Sequence, residues 1–296
     1  MALESVNYCP ICKGNHFTLF NHCIDHTTSG ETFSIHQCST CNFLITSPRP
    51  DAHSIGKYYQ SENYISHTNS SKSLIDKIYK SVRSITLQWK LNLIRQHKQQ
   101  GTLLDYGCGT GEFLNACKTA SWKCFGIEPS ADARQKAEQL TTLKLSASLS
   151  EISLNKFDVI TLWHVLEHIE DLNEKLSELK SRLAQGGTIF IAVPNYESLD
   201  GKLYQSHWAG YDVPRHLWHF SQQTMGRLFI NHGLKLKAVV PMKQDSFYVS
   251  LLSEKYLHPN RSIVLTGLSA LLTGVKSNLA ARQNQNYSSL VYIVTT

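Results

Sequence analysis

The sequence predicts an α/β fold, a mostly parallel sheet covered by helices on both faces, with a small cysteine-rich module ahead of it. Three observations predict it. Strand-like apolar runs alternate with helix-like stretches from residue 101 onward, a glycine-rich turn follows the first of those runs, and two Cys-x-x-Cys pairs stand near the front. Alternation of strand and helix favours parallel pairing with a helix over each crossover, and it places ligands beyond the carboxyl ends of the strands.

The chain has 296 residues, 42% hydrophobic and 18% charged, enough for a full core and an accessory module. Its net charge of +6 is 29 Lys and Arg minus 23 Asp and Glu, spread along the chain. Lys13 and Arg49 are too few to make a phosphate-binding stripe in the cysteine segment, which argues against nucleic acid as a partner. Residues 1–7 lack a basic segment followed by an apolar one, so no signal peptide is expected and the expected location is cytoplasmic. Three parts are expected: a ribbon-like module at 1–50, a tyrosine-rich lid with an amphipathic helix at 51–100, and the main α/β domain at 101–296.

Taking the elements in order, Cys9-Pro-Ile-Cys12 and Cys38-Ser-Thr-Cys41 are separated by 25 residues. Each pair presents two thiolates to one metal. In a reducing compartment four such sulfurs suit tetrahedral zinc better than disulfides, and so short a segment cannot stabilise itself by core burial. Structural zinc on Cys9, Cys12, Cys38 and Cys41 is the expectation; a redox pair, or a site recruiting His16, Cys23 or His36, is the alternative. The module is expected to brace the main domain. Cys108, Cys117 and Cys124 are expected in or near the core as small apolar residues.

Next comes a tyrosine cluster, Lys57-Tyr58-Tyr59 to Tyr64 and His67, read either as a lid over the open end of the site or as packing. Ile75, Ile78, Val82, Ile85 and Trp89 follow at helical spacing, predicting a helix that packs on the sheet.

Leu103-Leu104-Asp105-Tyr106-Gly107-Cys108-Gly109-Thr110-Gly111 then reads as a strand, a tight turn and the start of a helix. Glycine tolerates positive φ and lets a ligand approach the backbone. A dinucleotide loop needs Gly-x-Gly-x-x-Gly, but Glu112 stands three residues after Gly109, where a carboxylate would oppose a phosphate. Asp105 instead suits a ligand bearing a positive amino group. Glu128 follows where a second strand, residues 123–127, ends, and a carboxylate there chelates ribose hydroxyls.

These residues resemble the class I S-adenosylmethionine-dependent methyltransferases, whose first motif is a hydrophobic pair, Asp, x, Gly-Cys-Gly-x-Gly, and whose second is this acid. The resemblance implies a seven-stranded, mostly parallel Rossmann-like sheet with an antiparallel last strand. It also implies that Asp105, Tyr106, Gly107, Cys108, Gly109 and Gly111 hold the methionine part of the cofactor, while Glu128 and Pro129 sit at its ribose and adenine.

Residues 157–163 predict the next strand. Asp171 caps a helix expected to run to about Ala184 and to stop at Gly186-Gly187, and residues 188–194 predict the following strand. A second capped helix from Ser221 to His232 is ended by Gly233, and residues 234–240 and 290–296 predict the last strands.

His164-Val-Leu-Glu167-His168 fits the His-x-x-Glu-His pattern of inverted zinc peptidases, but those ligands need a helix and this stretch leaves a strand directly. In class I methyltransferases a Leu-Glu-His segment occupies this place beside the cofactor. The resemblance therefore makes Trp163 and His164 cofactor neighbours, and His168 either a general base or a histidine hydrogen-bonded under the loop.

Between the strand at 188–194 and the helix from Ser221 lies Trp208-Ala-Gly-Tyr-Asp212-Val-Pro-Arg215-His216-Leu-Trp-His219-Phe-Ser221, unusually polar and aromatic for a plain loop. Imidazoles titrate near neutrality, so His216 is the first candidate base for a methyl acceptor; the alternative makes it a neighbour of the helix cap, with Asp212 and Arg215 merely paired. With the cysteine module, this loop resembles the sugar C-methyltransferases of deoxysugar biosynthesis, which carry Tyr-His-Glu-His before an aromatic and Phe-Ser. His216, Phe220 and Ser221 match, but Arg215 replaces the Glu and Val213 the Tyr, and that family's large C-terminal domain has no room before Thr296. The acceptor is therefore not carried over.

An amino-group methyltransferase of adenine or cytosine would carry Asn/Asp-Pro-Pro-Tyr where Trp163-His-Val-Leu stands, and Val193-Pro-Asn-Tyr196 is no substitute. A zinc ribbon ahead of this fold also resembles ribosomal-RNA guanine methyltransferases, which keeps RNA as an alternative partner. Residues 262–275 are apolar, but 14 residues are fewer than the roughly 20 that span a bilayer. They are expected to pack as a helix, or, if exposed, to form a dimer face or to dock a lipid-linked substrate at a membrane surface. The expectation is methyl transfer from S-adenosylmethionine to oxygen or carbon of a small, sugar-like or lipid-linked metabolite. Ribosomal-RNA base methylation and a non-catalytic cofactor-binding interaction protein are the alternatives.

Overall fold

The computed structural model describes residues 3–59 and 74–296; Tyr64 and His67 of the tyrosine cluster lie outside them. The N-terminal module contains β1 (Leu3–Glu4), β2 (Phe17–Ile24), β3 (Thr32–Cys38), β4 (Leu44–Thr46) and β5 (Arg49–Pro50). Its long hairpin, β2–β3, turns at Asp25, whose carboxylate accepts the backbone N–H groups of Thr27, Thr28 and Ser29. An aspartate side chain thereby supplies the turn's missing acceptors.

After a short turn of helix at Ile55–Tyr59, the main domain contains α1 (Leu74–Arg95), β6 (Thr102–Tyr106), α2 (Glu112–Thr119), β7 (Lys123–Ile127), α3 (Ala131–Thr141), β8 (Phe157–Trp163), α4 (Leu172–Ser181) and β9 (Leu183–Pro194). Then come α5 (Leu199–Tyr204), β10 (Trp218–His219), α6 (Gln222–Asn231), β11 (Lys235–Pro241), α7 (Asp245–Leu257), α8 (Ile263–Asn284) and β12 (Ser289–Thr295).

The main sheet has the order β11-β12-β9-β8-β6-β7, in which β12 is antiparallel to both neighbours and the other pairings are parallel. Side chains alternate between the two faces: Leu104, Ile160, Leu162, Ile191 and Val193 join one core with α4 and α6, and Leu103, Val159, Phe190 and Ala192 join another with α1 and α2. Both faces are covered, so the strands read as nearly continuous apolar runs.

Four expectations need correction. Among the described residues the sheet has six strands rather than seven: beyond β7 the chain makes one bridge, Ile127 to Ser146, and then turns into a short helix at Leu149–Glu151. Helix α4 stops at Ser181 rather than near Ala184, because Leu183 already pairs with Phe157 in the sheet; Gly186 and Gly187 lie inside β9. Ile85 is 60% exposed, and α1 packs through Leu91, Leu93 and Ile94 with Leu87 and the expected Trp89 beside them, while the side chains of Ile75, Ile78 and Val82 lie outside those described. Finally, the apolar stretch at 262–275 continues into a 22-residue helix, long and apolar enough to cross a membrane by length and composition; it buries a stripe of Thr266, Ala270, Gly274, Ser277 and Ala281 and leaves most of its large apolar side chains exposed.

The N-terminal module is joined to the main domain through hydrogen bonds. β10, which belongs to the polar loop before α6, pairs with β4, so the module's sheet runs β10-β4-β3-β2. Phe33, Ile35, Leu44 and Tyr58 form a third core with Tyr204, Trp208, Tyr211 and Val213 from the same loop and its approach.

Candidate active site

The glycine turn after β6 adopts positive φ at Gly107, Gly109 and Gly111. A Cβ at Gly107 would meet the Val165 side chain at 2.6 Å and one at Gly111 would meet Ala137 at 2.8 Å, so both are required for packing. Gly109 differs: a Cβ there would meet nothing within 4 Å. This is the point at which a ligand can approach the backbone. Beside it, Glu128 accepts the Gly109 N–H at 2.9 Å on one oxygen and the Ser130 N–H at 2.9 Å on the other. Burial pushes its carboxyl up, and the two amides and Arg134 oppose that shift without cancelling it.

Asp105, next to the last residue of β6, has its carboxylate buried and accepts a 2.6 Å hydrogen bond from Thr161. Burial pushes this acid up to about 7, against the pull of Thr161 and of Lys90. Lys90 comes from α1 and lies 4.5 Å over the Trp163 ring, which also meets Phe113 edge-on at 5.4 Å. A ligand bearing an ammonium and a ribose therefore finds carboxylates at Asp105 and Glu128, with a backbone approach at Gly109. Tyr106 carries Lys175 over its ring, Cys108 is buried with its thiol pushed up by burial, and Pro129 is exposed at the rim.

At the end of β8, His164 has φ +58° and sits between two acids, Asp245 at 3.0 Å from Nε2 and Glu167 at 3.5 Å from Nδ1. Burial alone would lower its pKa, but the two carboxylates outweigh it and raise the imidazole to about 9, so His164 is a cation near neutrality. Glu167 is fully buried and neither of its oxygens accepts a well-formed hydrogen bond; the 3.5 Å approach of His164 is too long for one. Although burial raises it, the surrounding imidazoles hold it below the ordinary glutamate value.

His216 faces the same carboxylate. Its Nδ1 donates to the Gly210 carbonyl at 2.9 Å, which turns Nε2 toward Glu167 at 3.9 Å and Asp212 at 4.0 Å. His168 stacks edge-on against His216 with ring centres 4.6 Å apart, and its Nδ1 donates to the Arg215 carbonyl at 3.0 Å with the Tyr59 hydroxyl at the same distance. Burial and His216 hold His168 down to about 4, so it is neutral. One ligand atom each from Glu167, His168 and His216 lies within 4.8 Å of the others, a group able to hold a metal ion. His164 is not in that group, and the segment is a short 3-10 turn at Leu166–His168 rather than the helix a peptidase site requires.

Arg215, next to His216, is wholly buried. Its guanidinium donates to Asp25 at 2.9 Å, to Asp212 at 2.6 and 3.0 Å, and to the Tyr58 carbonyl at 3.0 Å. The N-terminal module and the short helix after it thus hold the loop that carries His216. Asp212 and Arg215 are paired as the alternative reading had it, while His216 lies well before the cap at Ser221. Tyr58 is core, hydrogen-bonded to Glu31, whereas Tyr59 reaches the histidines. Asp25, Lys90, Glu167 and Asp245 were not among the expected site residues; the cue for Asp25 was its Thr-Thr-Ser-Gly turn, and Asp245 had none beyond standing at a helix start.

In the N-terminal module, Cys9 and Cys41 have sulfurs 3.5 Å apart, as do Cys12 and Cys38, and all four lie within 4.8 Å of one another as free thiols. The two knuckles are alike: Lys13 and Asn42, each directly after the second cysteine, both have φ +63°. Cys23 lies in the third core, and His16 and His36 are outside the group.

A family model described as a methyltransferase domain matches residues 79–239, more than half of the chain. The mitochondrial ubiquinone biosynthesis O-methyltransferase of Candida albicans is 32% identical over 106 residues, 32% of this chain and 32% of that protein. An uncharacterized methyltransferase of Alkaliphilus oremlandii is 32% identical over 112 residues, 36% of this chain and 52% of its own. The matches span about a third to about half of these curated relatives. Magnesium protoporphyrin IX methyltransferase from Synechocystis PCC 6803, solved with bound SAH, shares the fold at 12% identity and a TM-score of 0.51, over 80% of this chain and 95% of that one. The chain belongs to the methyltransferase-domain family, in the S-adenosylmethionine-dependent class that its glycine turn and two acids resemble.

Proposed function

We propose that this enzyme transfers a methyl group from S-adenosylmethionine to an oxygen or carbon of a small acceptor, sugar-like or lipid-linked, with His216 as the general base and His168 beside it. The observation that carries this reading is the setting of His216. Its Nδ1–H is committed to the Gly210 carbonyl, so the lone pair of the neutral ring is on Nε2, turned toward two carboxylates. A proton taken there from an acceptor O–H or C–H makes an imidazolium that Glu167 and Asp212 stabilise. His168, held neutral with its Nδ1–H on the Arg215 carbonyl, can accept a hydrogen bond from the acceptor at Nε2 without adding charge. Asp105, Glu128 and the Gly109 backbone hold the cofactor, with Trp163 and His164 beside it, and bound S-adenosylmethionine supplies the electrophilic methyl. The protein's further contribution is to position acceptor and methyl in line.

Cys9, Cys12, Cys38 and Cys41 are assigned one structural zinc ion, a reading supported by four converging thiols and suited to the reducing cytosol. Its role is to brace β4 and, through β10, the loop bearing His216.

Calorimetric titration with S-adenosylmethionine and S-adenosylhomocysteine, on wild type, Asp105→Ala and Glu128→Ala, tests the cofactor assignment; binding lost in both variants is the expected result. On an acceptor found by screening, His216→Gln should lower kcat by roughly a hundredfold or more. If His216→Gln and His168→Gln both kept full activity, the base assignment would be wrong, and a folded wild type that binds no cofactor would point to a non-catalytic interaction protein.

A further inference from the structure

On the α7–α8 hairpin, large and small side chains are distributed in the reverse of a water-soluble helix pair. The buried stripe of α8 consists of Thr266, Ala270, Gly274, Ser277 and Ala281, and α7 turns Ser246, Ser250 and Ser253 inward. The helices come so close that a Cβ on Gly274 would stand 2.5 Å from Phe247. Facing outward are Val264, Leu268, Leu271, Leu272, Val275 and Leu279, between 41% and 68% exposed. A helix in water turns its large apolar residues inward. Small residues at the contact with large ones outside is the arrangement helices adopt against lipid, where close backbone packing holds the pair and the outer face needs no water.

The charges on the hairpin indicate what covers this face. Its acids, Asp245 and Glu254, are both engaged, with His164 at 3.0 Å and Arg261 at 2.8 Å. Lys243, Lys255, Lys276 and Arg282 are exposed and enter none of the described ion pairs. A second copy of the chain would bring these cations against one another, whereas an anionic bilayer complements them while taking up the leucines. The hairpin is anchored at both ends, by β11 and β12, and α8 is tied to α5 through the 2.6 Å bond from Ser277 to Asp200. It can therefore lie on a bilayer but not detach to cross one.

We propose that the α7–α8 hairpin is a monotopic docking surface for anionic membranes. Resting on the methyl-transfer reading above, the acceptor is then lipid-linked and enters from the membrane side. The hairpin is rooted at the site, since Asp245, the first residue of α7, holds His164.

The test is co-sedimentation of the full chain with vesicles of phosphatidylcholine alone and of phosphatidylcholine mixed with phosphatidylglycerol. Wild type should sediment with the mixed vesicles, less as salt rises, and weakly with the neutral ones. Leu268→Gln with Leu272→Gln should weaken binding by at least about tenfold, and Lys276→Glu with Arg282→Glu should remove the preference for anionic lipid. Both pairs lie on the exposed face, so unchanged melting and cofactor titration serve as the folding control. No sedimentation with either vesicle, or full binding by the leucine variant, overturns the proposal. So does a wild-type dimer, seen by ultracentrifugation, that ignores vesicles and falls apart in the leucine variant. Cofactor binding without vesicle binding would overturn docking alone; vesicle binding without cofactor binding would overturn the methyl-transfer reading alone.

Discussion

Replacing Arg215 with Met should cost about 3 kcal/mol of stability, the low end of the range for breaking a buried ion pair. The low end follows from how the two stranded carboxylates are left. Asp25 keeps its bonds from the Thr27, Thr28 and Ser29 amides and from the Ser29 hydroxyl, so it remains largely satisfied. Asp212 loses both of its guanidinium bonds, at 2.6 and 3.0 Å, but its side chain is 22% exposed and can recruit some water. One carboxylate is therefore stranded in part rather than two in full. At about 2–4 °C per kcal/mol for a chain of this order of size, melting should fall by roughly 6–12 °C. Arg215→Lys should lose less, since an ammonium keeps the charge but cannot bridge both acids. The pH dependence has a definite sign. Although burial raises both acids, Arg215 holds Asp25 and Asp212 below the ordinary aspartate value. Their contribution is thus full above the unfolded value of about 3.9 and is lost as pH falls through the lower folded values, so the cost of Arg215→Met should be full near neutrality and shrink as pH falls below about 3.9. Thermal and denaturant unfolding read the loss, and Asp212→Asn in the Met background should restore part of it. A loss below about 1 kcal/mol, or further destabilisation by the second change, would refute the reasoning.

Three other outcomes are expected. Cofactor affinity should strengthen as pH rises through about 7, because burial raises Asp105 to about 7 and only its ionised form pairs with an ammonium; the same raised pKa makes Asp105 favour the fold most at low pH and progressively less toward 7. Calorimetry between about pH 6 and 8 should show the trend, with Asp105→Asn flat, and unchanged affinity in wild type would count against Asp105 as a cofactor contact. Gly109→Ala should weaken cofactor binding more than stability, whereas Gly111→Ala should mainly lower melting, since its Cβ would meet Ala137 at 2.8 Å; equal binding by Gly109→Ala and wild type would show that nothing approaches there. Elemental analysis should find one zinc per chain, and Cys38→Ser should lose it together with several degrees of melting; a metal-free wild type of equal stability would sink the zinc assignment.

Much of this protein was legible locally. Glycines that need positive φ, an acid at a strand end, paired cysteines with two residues between them and a Ser221 cap all express requirements satisfied within a few residues, so pattern alone located the glycine turn, the cysteine group and the alternation of the sheet. The misjudged elements depended on what each segment meets. Ile85 has helical spacing but lies outside the packed face of α1, and the edge beyond β7 thins to one bridge because the chain turns away at Leu149. The order of residues determined a glycine turn of positive φ between β6 and α2, an acid beside it and a four-thiol group ahead of it, because those features are short-range chemistry. Only the tertiary structure decided that Glu167 faces His216, that Arg215 is held between Asp25 and Asp212, and that the leucines of α8 point outward, because long-range packing alone brings distant charges together and chooses which face of a helix is covered.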